Sequence, residues 1–250
     1  MGTMTDLPPT RAAGEDLLAA FAPRMGRRYA NGRNTDHGPG GHKAVSSLSP
    51  YIRRRLVLEQ DAVAAALAAH GSGEAEKFVQ EVIWRGYFKV WLERRPQVWI
   101  SYRKGLEADF ADIDRDRRLR RDLNRAMDGQ TGLDYFDVWA RELQDTGYLH
   151  NHARMWFASI WIFTLGLPWR IGADFFYRHL LDGDGASNTL GWRWVAGHLS
   201  IQITRSRCTP WSGSLKVELF SVLEQTTTFT FGTPQLQKRF SCLRDIITLL

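Results

Sequence analysis

The segment Asp182-Gly183-Asp184-Gly185-Ala186-Ser187-Asn188 sets two carboxylates and a carboxamide at the first, third and seventh places of a short loop. An EF-hand calcium loop begins this way, but it needs Gly at its sixth place and Glu at its twelfth. Ser187 and Arg193 stand there instead, so no calcium is expected and no metal is assigned. Two readings remain: a turn with a helix cap, or hydrogen-bond acceptors aimed at a polar, planar ligand. Gly191-Trp192-Arg193-Trp194 follows directly. Residues two apart do not share a helix face, so Trp192 and Trp194 serve two environments, for instance a cofactor side and a substrate side. His150-Asn151-His152-Ala153-Arg154-Met155 contains the three letters of His-Asn-His nucleases, but it opens a strongly apolar stretch. It reads as a helix start with polar capping groups, with Asn151 and Arg154 on one face. Glu81 and Arg85 are four apart and suit a simple ion pair on a helix that also carries Trp84.

The elements that must position these groups read as helices. Residues 1–20 form a lead-in ending in a short helix. From Tyr29 to Ser49 the chain is rich in Gly, Asn, Asp, His and Ser, which predicts a long loop. Ser49-Pro50 predicts a helix start with Ser49 as cap, and Asp61 begins an Ala-rich helix that stops near Gly71. Val79, Val82, Ile83, Gly86 and Val90 recur at helical spacing over 74–95, with Pro96 as the stop. Residues 115–125 hold six Arg and two Asp, a solvated helical face or a DNA-facing patch. Thr131 opens a helix with Phe136, Trp139, Ala140 and Leu143 as its apolar stripe and Gly147 as its stop. Helices are expected over 151–165, apolar nearly all round, and over 171–181. No alternating strand pattern precedes residue 200, so the fold class is all-α. Thr226 to Thr230 is β-branched without a helical period, and residues 198–250 have no assigned structure.

Bulk properties bound the function. A chain of 250 residues can bury a substantial core. Net charge +6 suits a polyanionic partner without demanding one. Ten tryptophans are unusual, and each is read as core filler or as serving a planar ligand or electron transfer. Two cysteines, Cys208 and Cys242, are too few for a disulfide framework or a four-Cys cluster. A reducing compartment, the cytoplasm, is therefore expected. Asp6, Arg11, Glu15 and Asp16 interrupt any signal-peptide core, and no apolar run reaches spanning length, so no membrane association is expected.

Taken in order, the motifs are similar to the flavin domain of the photolyase/cryptochrome family. They run Tyr29-x-x-x-Arg33-Asn34; Ser46-Ser47-Leu48-Ser49-Pro50-Tyr51; Glu81-x-x-Trp84-Arg85-x-Tyr87-Phe88; Thr131-Gly132; Glu142-Leu143-x-x-Thr146-Gly147-Tyr148-x-His150-Asn151-x-x-Arg154-Met155; Trp169-Arg170-x-Gly172; and Asp182-x-Asp184-x-x-x-Asn188-x-x-Gly191-Trp192-x-Trp194. The resemblance covers about residues 21–197 and implies a multi-helical bundle holding FAD non-covalently in a bent form. It places Tyr29, Ser46, Ser47, Leu48 and Ser49 by the phosphates and ribityl chain, Arg85 and Asn151 against the flavin, Arg154 paired with Asp182 near its ring, Asp184 as a further acceptor and Asn188 near N5. It makes Glu81 the hydrogen-bonding partner of a flipped pyrimidine dimer, Trp84 and Trp194 the aromatic walls, Met155 a residue packed on the dimer, and His152 a DNA-side residue. Trp192 and Trp169 match the inner members of a photoreduction chain, with Trp99, Tyr102, Trp139 and Trp156 open as outer members.

The activity so implied is light-driven, FAD-dependent repair of cyclobutane pyrimidine dimers, by electron transfer from reduced flavin to the flipped lesion. The partner is UV-damaged DNA, single strands included. Alternatives are a cryptochrome-like photoreceptor module and a flavin-containing nucleic-acid-binding protein without repair activity. Four departures stand out. The family's N-terminal α/β antenna domain is expected to be absent, and with it an antenna chromophore. Val45 replaces a frequent Thr, and His152 a frequent Arg. Residues 198–250 are read as an unmatched C-terminal segment.

Overall fold

The computed structural model describes residues 7–197. The expectations for residues 1–6 and 198–250 lie outside the described residues. Among those described, the chain is helical throughout, with no strand. Helix α1 (Arg11–Phe21) is capped by the Thr10 hydroxyl, which accepts from Ala13 N at 3.2 Å. A 3₁₀ turn, Ala22–Arg24, leads to the short α2 (Arg27–Gly32). Tyr29 thus lies in a helix rather than at the head of a loop, and the loop proper covers 33–48. Helix α3 (Ser49–Arg53) has Leu48 at its N-cap. Ser49 is its first residue, not its cap, and Pro50 sits in the first turn, where a missing N–H costs nothing.

Helix α4 (Glu59–Glu93) is continuous except at Gly71, whose φ of 67° and ψ of 175° break it where the Ala-rich pattern ends. It starts two residues before Asp61, whose carboxylate reaches back to Leu58 N at 3.3 Å. Pro96 both stops α4 and starts α5 (Pro96–Arg115), a helix the apolar pattern did not announce. Helix α6 (Arg117–Met127) is capped by Asp116 through Arg118 N and Leu119 N, at 2.8 and 3.0 Å. Helix α7 (Asp134–Thr146) begins three residues later than Thr131. The reason is Asp137, which accepts from Thr131 N, Thr131 Oγ1 and Gly132 N at 2.9, 2.6 and 2.9 Å and so holds that segment as a turn. Gly147, at φ 65°, ends α7 in the left-handed conformation.

Helix α8 (Asn151–Ser159) continues into a π-helical turn, Ile160–Thr164. Helices α9 (Trp169–His179) and α10 (Gly185–Val195) follow. Two apolar cores result. One gathers Phe21, Met25, Tyr29, Leu48, Phe78 and Val82; the other gathers Phe136, Leu143, Phe157, Trp161, Phe176 and Trp192. Helix α4, whose buried residues belong to the first core, packs against α1 and α2 there and also against α5 and α10. The ties between the cores are polar. Arg53 Nε donates to Gly183 O at 3.1 Å, and His42 meets Glu142 at 2.7 Å.

Candidate functional site

Asp182 sits in the middle of the α9–α10 connection, buried, with its Oδ2 accepting from Arg154 Nη1 and Nη2 at 3.3 Å each. Burial opposes its charge, but Arg154, the Ser49 hydroxyl and the Arg85 charge outweigh burial and hold the carboxyl below the ordinary carboxylate range. Arg154 is itself fixed, with Nε donating to Leu149 O at 2.8 Å and its guanidinium lying 5.7 Å from the centre of the Tyr148 ring. Arg85 donates from Nη2 to Ser49 O at 3.4 Å. Asp182, Arg154, Ser49 and Arg85, far apart in sequence, are therefore one group. Asp184 is partly committed: its Oδ1 caps α10 through Ala186 N and Ser187 N, and its Oδ2 lies 3.6 Å from Arg53. Asn188 donates to Ala173 O at 2.7 Å, which leaves its carboxamide oxygen as the group it can offer a ligand.

A second group lines up around Tyr29. Its ring is wedged edge-on between Phe21 and Phe78, at centroid distances of 6.3 and 5.2 Å. Burial pushes its phenol up to about 12, helped by Glu81 and opposed by Arg33. Arg33 pairs with Glu81 across from α2 to α4. The loop that follows is fastened by His42, whose Nε2 meets Glu142 Oε1 in a buried contact and whose ring stacks on His150 at 6.0 Å and 15°. Ser46 Oγ accepts from Leu48 N at 3.3 Å. Ser47 takes a φ of 53°, a left-handed conformation costly to a non-glycine residue. Tyr148 lies between the two groups: burial pushes its phenol up to about 12, with Arg154 and the Ser47 hydroxyl opposing and Asp182 and Glu142 adding.

Asn151, exposed, and the partly buried His152 and Met155 stand on α8, Glu81 and Trp84 on α4, and Trp194, 42% exposed, on α10. Helices α4 and α8 both pack on α10. Trp192, by contrast, is 3% exposed and meets Trp161 and Phe176 edge-on at 6.2 and 5.1 Å. The two indoles do serve different environments. Trp169 is buried, with Tyr102 at 5.8 Å and Trp99 a further 5.3 Å beyond. Of the outer aromatic candidates, Tyr102 is in ring contact with Trp169, while Trp139 pairs with Tyr135 at 6.4 Å.

Residues 78–218 match the family described as the FAD binding domain of DNA photolyase, a match that runs past Gly197. The chain belongs to the photolyase/cryptochrome family. Its relatives include a deoxyribodipyrimidine photo-lyase of Streptomyces griseus, 34% identical over 208 residues, covering 78% of this chain and 44% of that one. A cryptochrome DASH of Natronomonas pharaonis is 38% identical over 119 residues, 48% of this chain and 24% of that one. Among solved structures, a bacterial class III photolyase from Agrobacterium tumefaciens is similar at TM-score 0.62 and 28% identity, over 75% of this chain and 38% of that one. The chain thus spans less than half the length of these photolyase/cryptochrome relatives.

FAD is the cofactor of this photolyase/cryptochrome domain. The leftover polar atoms suit it. Arg85 Nε and Ser187 Oγ are buried without a hydrogen-bond partner in the protein, whereas Asp182 Oδ1 lies 3.2 Å from Arg154 Nη1. Each such atom costs about 1–3 kcal/mol unless something satisfies it, and a flavin ring offers both donors and acceptors. Arg85 and Asp182 would hold the ring side, with Asn188 supplying its free oxygen. Sequence reasoning gave no role to His42 or Tyr148. Tyr148 stood inside a quoted motif, whereas His42 had no local signal, since its partner is 100 residues away.

Proposed function

We propose that this chain carries out light-driven repair of cyclobutane pyrimidine dimers in DNA. What carries the reading is the placement of Glu81: held by Arg33 at one end of its helix face, it shares α4 with Trp84 and with Arg85 of the flavin group. Bound FAD, in reduced form, would supply light absorption and the single electron. The chain's own work is positioning. Arg154 and Asp182 fix the ring, and the packed Trp192 side excludes water. A lesion base must leave the stack to reach such a pocket. Glu81 then accepts from its N–H groups, Trp84 and Trp194 stack on it, and Met155 packs alongside. His152 would stand on the DNA side, and Asn151, exposed on the same helix, would contact the flavin. Stacking of this kind stabilises an extruded base by about 1–3 kcal/mol per ring. The cytoplasm is the proposed location.

A cryptochrome-like photoreceptor role is the second reading, favoured by the similarity to a cryptochrome DASH. The deciding experiment is repair of an oligonucleotide bearing one cyclobutane thymine dimer, by flavin-loaded, reduced protein, in blue light and in the dark. Loss of the dimer in light alone is expected. An intact dimer after illumination of fully loaded, reduced protein moves the assignment to the photoreceptor.

A further inference from the structure

A cavity of about 610 Å³ opens between the Ala22–Arg24 turn, α2 and the 37–44 loop, lined by Arg24, Arg28, His37 and Lys43 and by no carboxylate. We propose that it is a docking site for backbone phosphates of the DNA strand, and this rests on the DNA reading above. The sequence offered a different basic surface, the arginine run over 115–125, as either a solvated face or a DNA-facing patch. Much of that run is paired: Arg115 meets Asp112 at 3.3 Å, Arg120 meets Asp114 at 2.6 Å, and Arg118 and Arg121 share Asp122 at 3.7 and 3.2 Å. Around the cavity the pattern is opposite. Arg28 and Lys43 form no ion pair among the described residues, while their neighbour Arg27 is paired with Glu74 at 3.0 Å. Arg24 is held in place without being neutralised, since it donates to Lys43 O at 3.0 Å and lies 4.8 Å from the centre of the Phe21 ring. Unpaired cations converging on one concavity are what a phosphodiester requires.

The chemistry of the walls selects the phosphate and not the base. The aromatic ring at the cavity, Tyr29, is locked between Phe21 and Phe78 and cannot stack on a nucleobase. Gly38 and Gly40, at φ 74° and 73° with open space where a Cβ would stand, keep side chains out of the loop's turn. Recognition here is therefore independent of sequence. It is also adjacent to the lesion pocket: Arg33, which holds Glu81, follows Tyr29 by one helical turn, its N–H donating to Tyr29 O at 2.9 Å. A strand held at the cavity continues toward Glu81.

The test uses flavin-loaded protein and an undamaged duplex oligonucleotide, with affinity measured across a range of salt. Each phosphate contact contributes about 0.9 to the slope of log affinity on log salt. The double variant Arg28→Ala/Lys43→Ala should flatten that slope by about 2 and weaken damaged and undamaged DNA alike. Its flavin-to-protein absorbance ratio should match wild type. Arg28→Ala alone, at an exposed position, should give about half the change in slope. Arg118→Ala, on α6, should leave the slope unaltered. An unchanged slope in the double variant overturns the proposal, as does an equal flattening in Arg118→Ala. Loss of flavin from the double variant also overturns it, because the cavity would then serve the diphosphate of the cofactor. If wild type shows no light-dependent repair yet the slope still falls, the phosphate site stands and the repair reading alone is lost.

Discussion

At the scale of single residues, the Asp182 carboxylate is the most constrained group at the site. It is buried, charged and surrounded by Arg154, Ser49 and Arg85. Asp182→Asn keeps the shape and removes the charge, leaving Arg154 with the Leu149 carbonyl and the Tyr148 ring as its partners. Flavin occupancy should fall, by about 1–3 kcal/mol of binding free energy, measured as the flavin-to-protein absorbance ratio after purification. Full occupancy would remove Asp182 from the flavin side. The Arg154–Asp182 pairing was legible because both residues sit in motifs with a known order. Asp184 was legible only as one of two alternatives, and the structure uses it as the helix cap, with one oxygen left near Arg53. His42 was not legible at all. A histidine in a Gly-rich loop carries no pattern, and its meaning comes from Glu142 and His150 folding onto it.

At the scale of elements, stop signals were read more surely than start signals. Gly71 and Gly147 end helices because their positive φ suits glycine. Pro96 was read as an end, although proline's fixed φ makes it equally a first helical residue, and so α5 went unannounced. Ser49 and Thr131 were taken for helix openers because their hydroxyls suit caps. In the fold Ser49 lies one residue inside its helix, and Thr131 serves the turn that Asp137 organises. Helices α9 and α10 approach each other closely at Gly172. A methyl at Gly172 would land on the Trp192 ring and 2.9 Å from Trp161. Gly172→Ala should therefore push Trp192 aside and lower stability by roughly 1–3 kcal/mol. Thermal unfolding and the shift of tryptophan emission check both halves of that statement. A variant with wild-type midpoint and emission would mean that the two helices slide apart freely.

At the scale of the whole molecule, stability depends on pH through histidines buried near the seam between the two cores. His150 is 1% exposed, and burial pushes its imidazole down to about 4, with the Asp36 charge opposing. Its ordinary value, regained on unfolding, is 6.5. Above 6.5 both states are neutral and the contribution is intact. As pH falls from 6.5 toward 4 the unfolded chain takes the proton and the folded one does not, so stability declines. Burial lowers His152 as well, with the same sign. The loss from His150 should be of order 1–3 kcal/mol, read as a midpoint that drops between about pH 7 and about pH 5. His150→Asn, which retains a capping group, should flatten that drop. An equally steep profile in the variant would place the titration elsewhere.

The same seam has a consequence for how long the protein lasts. Arg53 and His42 reach from one core to groups belonging to the other, Ser49 and Arg85 both act on Asp182, and some buried polar atoms there have no hydrogen-bond partner in the polypeptide. A flavin held by both sides would act as a cross-brace, and its binding energy would become cohesion. At a hundredfold excess over its dissociation constant such a ligand adds about 2.7 kcal/mol to the folded state. Durability in this chain would then be set by cofactor supply as well as by sequence, and a molecule starved of flavin would be a mechanically looser one.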